Sequence, residues 1–194
     1  MWTSPITWAL LFLGAVFAFA IGANWQHDQR GTPVPAFTLV DSQGEVVDQT
    51  QLQNATTLLY FGFTFCPDVC PSSLRSIADA LNLLGADSNG VQVWFVSVDP
   101  ERDTPEVLQE YVELIDPRVR AMSGDAAQLR RVQDIFSIVA ERTFPAGGAD
   151  DYYLINHTAS TMLVNHRAEL VDRIPQDASP TQFAERIRRH HRPR

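Results

Sequence analysis

The chain of 194 residues is long enough for one well-packed domain with an appendage and short for two full domains. Its 45% hydrophobic, 20% charged and 10% aromatic content excludes wholesale disorder, and with only two cysteines it is not a disulfide-stapled miniprotein. The net charge is −8, and five arginines of the C-terminal tail, Arg186, Arg188, Arg189, Arg192 and Arg194, leave 10 basic against 23 acidic residues elsewhere, a body charge of −13 that excludes nucleic-acid binding by counterion release.

From Ile6 to Ala23 there is no charged residue, and as a helix this stretch would span about 27 Å, close to a hydrocarbon core. It lacks the polar stripe of a buried core helix. Ala18-Phe19-Ala20 has the form of an export-signal cleavage site, but no Lys or Arg precedes the apolar run, so residues 1–25 read as an uncleaved single-pass anchor with a signal segment as the alternative. Residues 26–32 form a polar linker, and residues 33–194 the domain.

The domain opens with apolar residues 33–40, a turn at Asp41-Ser42-Gln43-Gly44, and Glu45-Val46-Val47, a hairpin pattern. Leu58-Leu59-Tyr60-Phe61-Gly62-Phe63 is a continuous apolar run of strand length, the pattern of a strand buried on both faces. A helix is predicted over 71–84, with Pro71 in its first turn and Gly85 at its end. A second buried strand is predicted over 91–98. Thr104-Pro105-Glu106 opens a helix to about Ile115, and Asp125 caps another to about Phe136. After a Gly-rich acidic loop at 145–151, strands over 159–165 and 168–174 flank a turn at His166-Arg167, and a helix follows from Ser179-Pro180. This order gives an α/β domain with a mixed β-sheet flanked by helices.

The chemistry is concentrated in Phe63-Thr64-Phe65-Cys66-Pro67-Asp68-Val69-Cys70-Pro71. Two thiols stand where a buried strand ends and a helix begins, the place where α/β sheets hold their ligands. Cys70 is expected at the helix N-terminus, where the dipole and free N–H groups favour its thiolate. The pair can close a disulfide or both face one soft ion, and ligation and disulfide formation exclude one another. A static staple closing so short a loop would add little unfolded-state entropy. Of five histidines, His27 lies in the linker, His166 in a turn, and His190 and His191 in a tail read as a solvated helix end. His157 stands at a junction before the strand expected from Thr158-Ala159; a histidine so placed is by itself more often structural than a ligand. Two thiolates with one imidazole would make a three-coordinate soft site suited to Cu(I), whereas zinc would ask for a fourth ligand.

Three segments in order, Tyr60-Phe61-Gly62-Phe63-Thr64-Phe65-Cys66-Pro67-Asp68-Val69-Cys70-Pro71, Val96-Ser97-Val98-Asp99-Pro100-Glu101-Arg102-Asp103-Thr104-Pro105 and Tyr153-Leu154-Ile155-Asn156-His157-Thr158, resemble the Sco/SenC proteins of cytochrome c oxidase assembly. The resemblance covers nearly all of the chain after the anchor. It implies a thioredoxin-like fold behind a single N-terminal transmembrane helix, and copper, as Cu(I) with Cu(II) also admitted, held by Cys66, Cys70 and His157. It implies an inner-membrane protein with its domain in the periplasm, an oxidase subunit with a copper site as client, and a copper donor protein. Asn156 departs from the family, which usually has Asp before the histidine, and this touches copper affinity more than the ligand set. The segment from Asp99 to Thr104 reads locally, as a turn, compensating charges and a helix cap. Asp68 reads as exposed, and Met122 and Met162 as core.

The leading function is a metallochaperone delivering copper to an oxidase. The alternative is a membrane-anchored thiol-disulfide oxidoreductase that keeps a partner's copper-site cysteines reduced through the redox pair Cys66 and Cys70. A peroxidase would need an activating threonine and arginine near the reactive thiol, and Thr64 is close in sequence to Cys66.

Overall fold

Tyr60 and Phe61, adjacent in sequence, are both fully buried in different cores, which sets the layering of the domain. The computed structural model describes residues 31–144 and 153–191, together with residue 14. The chain divides into two units, Met1–Gly31 and Thr32–Arg194. The expected anchor and His27 lie outside the described residues, and among the described residues no helix is long and apolar enough to cross a membrane.

The strands are β1 (Thr32–Pro33), β2 (Thr38–Asp41), β3 (Val46–Asp48), β4 (Thr56–Gly62), β5 (Val91–Ser97), β6 (Val119–Ser123), β7 (Ala140–Thr143), β8 (Leu154–His157), β9 (Thr161–Val164) and β10 (Glu169–Ile174). Eight of them form one sheet in the order β1-β10-β9-β4-β5-β6-β2-β3. Its centre, β4-β5-β6, is parallel, and its flanks pair antiparallel, so the sheet is mixed as the sequence predicts. Every residue of β4 is buried.

The helices are α1 (Val69–Leu84), α2 (Pro105–Ile115), α3 (Ala126–Phe136) and α4 (Pro180–His190). One core joins Leu59, Phe61, Trp94, Val96, Met122 and Met162 of the sheet to Leu129, Val132 and Phe136 of α3. The other joins Leu58, Tyr60, Val93 and Phe95 to Leu74, Ile77 and Leu81 of α1, Leu108 and Val112 of α2, and Phe183 and Ile187 of α4. Each such side chain removed from water contributes about 1.5–3 kcal/mol. The predicted caps form: the Thr104 hydroxyl accepts from the Val107 N–H, and Asp125 with Gln128 and Ser179 with Gln182 make reciprocal capping boxes.

Three features depart from the sequence reading. Strand β6 is short and carries Arg120 among its apolar residues, which hides its pattern; Arg120 Nη2 pairs with the buried carboxylate of Asp41 at 2.6 Å. The second departure is a separate two-stranded ribbon, β7 with β8, in which Ala140 opposes His157 and Glu141 opposes Asn156. His157 is therefore the last residue of a strand, and the next strand begins at Thr161. The ribbon escaped notice because Glu141, Arg142 and Thr143 are exposed and polar on both faces, without apolar alternation. The tail histidines also differ from expectation: His191 is not simply solvated but packs by Nδ1 at 2.9 Å from Thr56 Oγ1 and by Nε2 at 3.0 Å from the Asn89 carbonyl.

Candidate metal centre

The parallel strand β4 ends at Gly62, and the chain then crosses the carboxyl edge of the sheet through Phe63, Thr64, Phe65 and Cys66 into α1. The helix starts at Val69, two residues before the predicted start, so Cys70 lies within its first turn. Asp68 stands at the N-cap, exposed as read from the sequence, but its side chain makes no capping bond. The Cys66 sulfur takes that role instead, accepting the Cys70 backbone N–H at 3.4 Å.

The Cys70 backbone N–H at the helix end thus points at the Cys66 sulfur. The Cys70 thiol donates to Cys66, and with the backbone N–H groups of Cys70 and Asp68 and the nearby imidazole of His157 it outweighs burial and brings the Cys66 thiol down to about 4. Cys70 moves the other way: the Cys66 thiolate beside it, together with its own burial, pushes it far up. In the reduced pair both shifts favour the thiolate on Cys66 and the thiol on Cys70.

Cys70 is fully buried behind Cys66. A Cβ placed on Gly62 would lie 2.8 Å from Cys70 Sγ and 2.9 Å from Phe95 Cε2, so the absence of a side chain at Gly62 makes the space for that sulfur. Deeper still, the Tyr60 hydroxyl is buried beside both sulfurs and Ser73, yet has no partner at hydrogen-bonding geometry. Burial and the neighbouring Cys70 push the Tyr60 hydroxyl well above the usual phenol range, so it stays protonated and is a donor.

The third group arrives from the ribbon. His157 Nε2 lies 3.6 Å from Cys70 Sγ, and Nδ1 lies 3.1 Å from the Thr158 carbonyl oxygen. A carbonyl only accepts, so Nδ1 carries a hydrogen; Nε2 donates toward the Cys66 sulfur when the ring carries both protons and turns a lone pair to the sulfurs when it is neutral. The ring stands edge-to-face against Phe63 at 5.8 Å between centroids. The structure places Cys66 beside Cys70 and Cys70 beside His157. With Phe63, Pro67, Val69 and Asn156, Cys66 and His157 line a cleft of about 260 Å³.

Two sulfurs and one imidazole nitrogen form a soft donor set, and a separation of 3.6 Å is close to that of two donors sharing an ion through bonds of about 2.3 Å and 2.0 Å. The three groups are neighbours only: among the described residues no three Cys, His, Asp or Glu side chains stand, as they lie, where they could hold a metal ion together. The donor chemistry fits a soft cation, and binding would require Cys70 to give up its proton.

The segment from Asp99 to Thr104, read locally from the sequence, reaches across the site. Asp103 accepts from the Thr64 N–H at 3.1 Å, the Thr64 hydroxyl at 2.6 Å and the Ser97 hydroxyl at 2.5 Å. Thr64 is thereby bonded to Asp103, not to a thiol. Arg102 donates from Nη1 to the Tyr153 carbonyl at 2.9 Å and pairs through Nε with the fully buried Asp99. None of these contacts is a periodicity signal; the available hint was a charge-rich segment directly after a buried parallel strand, at the carboxyl edge of the sheet.

The SCO1/SenC family model matches residues 26–192. A SCO2-like protein of Rickettsia typhi is 34% identical over 155 residues, covering 79% of this chain and 75% of the relative. A structure of Bradyrhizobium japonicum ScoI with copper bound shares 33% identity at a TM-score of 0.74, covering 82% of this chain and 100% of that one. The thioredoxin domain of a thiol-disulfide oxidoreductase from Bacteroides vulgatus, at 17% identity, 82% and 95% coverage and a TM-score of 0.58, shows the same fold. The mixed sheet with its flanking helices is thus thioredoxin-like, and a family model that matches nearly the whole length, with a relative one-third identical over most of both chains, establishes that this chain belongs to the SCO1/SenC family.

Proposed function

We propose that this chain is a copper-binding metallochaperone that assists assembly of a cytochrome c oxidase copper site, carrying Cu(I) as cargo on Cys66, Cys70 and His157. The observation that carries this reading is the convergence of a thiolate, a thiol and an imidazole whose Nε2 faces Cys70 at 3.6 Å. The copper bound to the Bradyrhizobium japonicum relative supports the choice of metal. Residues 1–25 serve as a single-pass anchor in the inner membrane, with the domain in the periplasm facing its oxidase client and a copper donor protein; the uncharged stretch from Ile6 to Ala23 supports this.

A second reading, a thiol-disulfide oxidoreductase, is favoured by the asymmetry of the cysteine pair. The Cys66 thiolate would attack one sulfur of a partner disulfide, forming a mixed disulfide and releasing one partner thiolate. Cys70 would then lose its proton and attack Cys66, closing the Cys66–Cys70 disulfide and releasing the second partner thiolate. Two electrons pass to the partner, and a dithiol reductant must restore the pair.

Copper stoichiometry on the reduced, detergent-solubilised full chain tests both readings. One copper per chain in the wild type, loosened by each of Cys66→Ser, Cys70→Ser and His157→Ala, is the expected result. A reduced chain that binds no copper yet exchanges disulfides belongs to the second reading.

A further inference from the structure

The ribbon that carries His157 has only two strands and stands outside the main sheet. Two paired strands alone are marginal in water. Ile155 packs the ribbon into the core beside Phe61 and Phe63, and a second set of contacts, which meets at Arg102, ties it across the site.

Asp99, fully buried at the end of the parallel sheet, is anchored by its N–H to the Ser97 hydroxyl at 3.0 Å. Its carboxylate receives Arg102 Nε at 2.5 Å on one oxygen and the Tyr153 hydroxyl at 2.7 Å on the other. Arg102 closes the ring by donating to the Tyr153 carbonyl, and its guanidinium lies 3.7 Å from the centroid of the Tyr153 ring. Tyr153 is thus gripped at its hydroxyl, its ring face and its backbone, immediately before β8 and four residues before His157. The same guanidinium lies over Phe65 at 5.1 Å and Phe63 at 5.8 Å, on the segment that carries Cys66, and Phe63 in turn meets the His157 ring.

We propose that Arg102 is a positioning residue for the metal centre: it ties the strand bearing His157 to the loop bearing Cys66, and so sets where the imidazole stands relative to the thiols. This rests on the copper-binding reading for its consequence but not for its geometry. The task asks for a planar cation that donates in a fork while its face packs on aromatic rings, which an ammonium cannot reproduce. A plain ion pair with Asp99 would stabilise the fold equally well as Lys; the grip on Tyr153 would not.

The test uses the full chain in detergent, reduced and metal-free, with histidine labelled for NMR, comparing wild type with Arg102→Lys. The expected result is loss of the ring-current shift and of the nuclear Overhauser contacts that Phe63 gives the His157 ring, with the resonances of the sheet unchanged. Cu(I) affinity, read by competition with a chelator, should fall about 10- to 100-fold. Tyr153→Leu, which keeps Arg102 but removes the ring under its guanidinium and the hydroxyl that donates to Asp99, should give the same His157 signature and decides the matter if Arg102→Lys fails to fold. Unchanged His157 contacts and unchanged Cu(I) affinity in a folded variant would overturn the proposal and leave Arg102 as an ion pair. If the wild type itself binds no Cu(I), the copper reading fails, while the His157 contacts in the metal-free protein still decide the positioning.

Discussion

The Cys66 sulfur accepts the backbone N–H of Cys70 while the Cys70 thiol faces the same sulfur from below. Two residues of the same type, one just before the helix and one in its first turn, are thereby shifted in opposite directions. The reduced protein should show one cysteine that alkylates with iodoacetamide down to pH values near 4 and one that resists. Replacing Cys70 by Ala removes the donor and should move the alkylation midpoint of Cys66 upward, toward the ordinary thiol value of about 8.5.

The same asymmetry gives a pH dependence of stability. The folded value for Cys66 lies below its unfolded one, so its contribution is complete above the unfolded value of about 8.5 and is lost as the pH falls toward 4. Urea unfolding of the reduced chain and of Cys66→Ser across this window should give a stability difference that shrinks steadily on acidification. A constant difference would mean that the thiolate is not stabilised in the fold.

Gly62 should be intolerant of even one carbon. Gly62→Ala places that carbon 2.8 Å from Cys70 Sγ and 2.9 Å from Phe95 Cε2, between a buried sulfur and a buried ring. Overpacking of this kind costs about 1–3 kcal/mol. Chemical denaturation should show the loss, and oxidation of the pair to its disulfide should slow because the Cys70 sulfur is displaced.

Tyr60→Phe should separate stability from metal binding. Its buried hydroxyl has no partner at bonding geometry, and an unsatisfied buried group costs about 1–3 kcal/mol, so its removal should leave the reduced, metal-free protein as stable or more so. Once Cys70 becomes a thiolate on binding Cu(I), the hydroxyl beside it gains an acceptor, and the variant should bind more weakly. Thermal melts and chelator competition should move in opposite directions.

Asn156 opposes Glu141 across the ribbon, which gives its departure from the family's aspartate a local consequence. In Asn156→Asp two carboxylates would face one another, at a cost of about 0.2–1 kcal/mol. The cost should vanish when Glu141→Gln is added, and a double-mutant cycle on unfolding free energies measures that coupling.

The layers were legible because β4 and β5 are unbroken apolar runs and the helices carry plain caps at Thr104, Asp125 and Ser179. The thiols were legible as well, since a buried parallel strand leads straight to Cys66. The site's supports were not. Arg102, Asp99 and Tyr153 act across 51 to 54 residues of chain and leave no periodic trace. The ribbon's exposed polar residues carry no alternation to read. The unequal division of protons between Cys66 and Cys70 depends on which sulfur lies over the helix end, a matter of two residues in where α1 begins.

The placement of His157 at the end of a ribbon outside the main sheet divides the donors between two kinds of support. The thiols belong to the junction of β4 and α1, whereas His157 ends a two-stranded ribbon that Ile155 ties to the core and whose other strand, β7, is largely exposed. Amide hydrogen exchange should rank Ile155 and His157 well ahead of Tyr60 and Phe61. An ion held by all three donors would therefore shed its nitrogen before its sulfurs, and an acceptor arriving on the ribbon side could take it while the sheet stays closed.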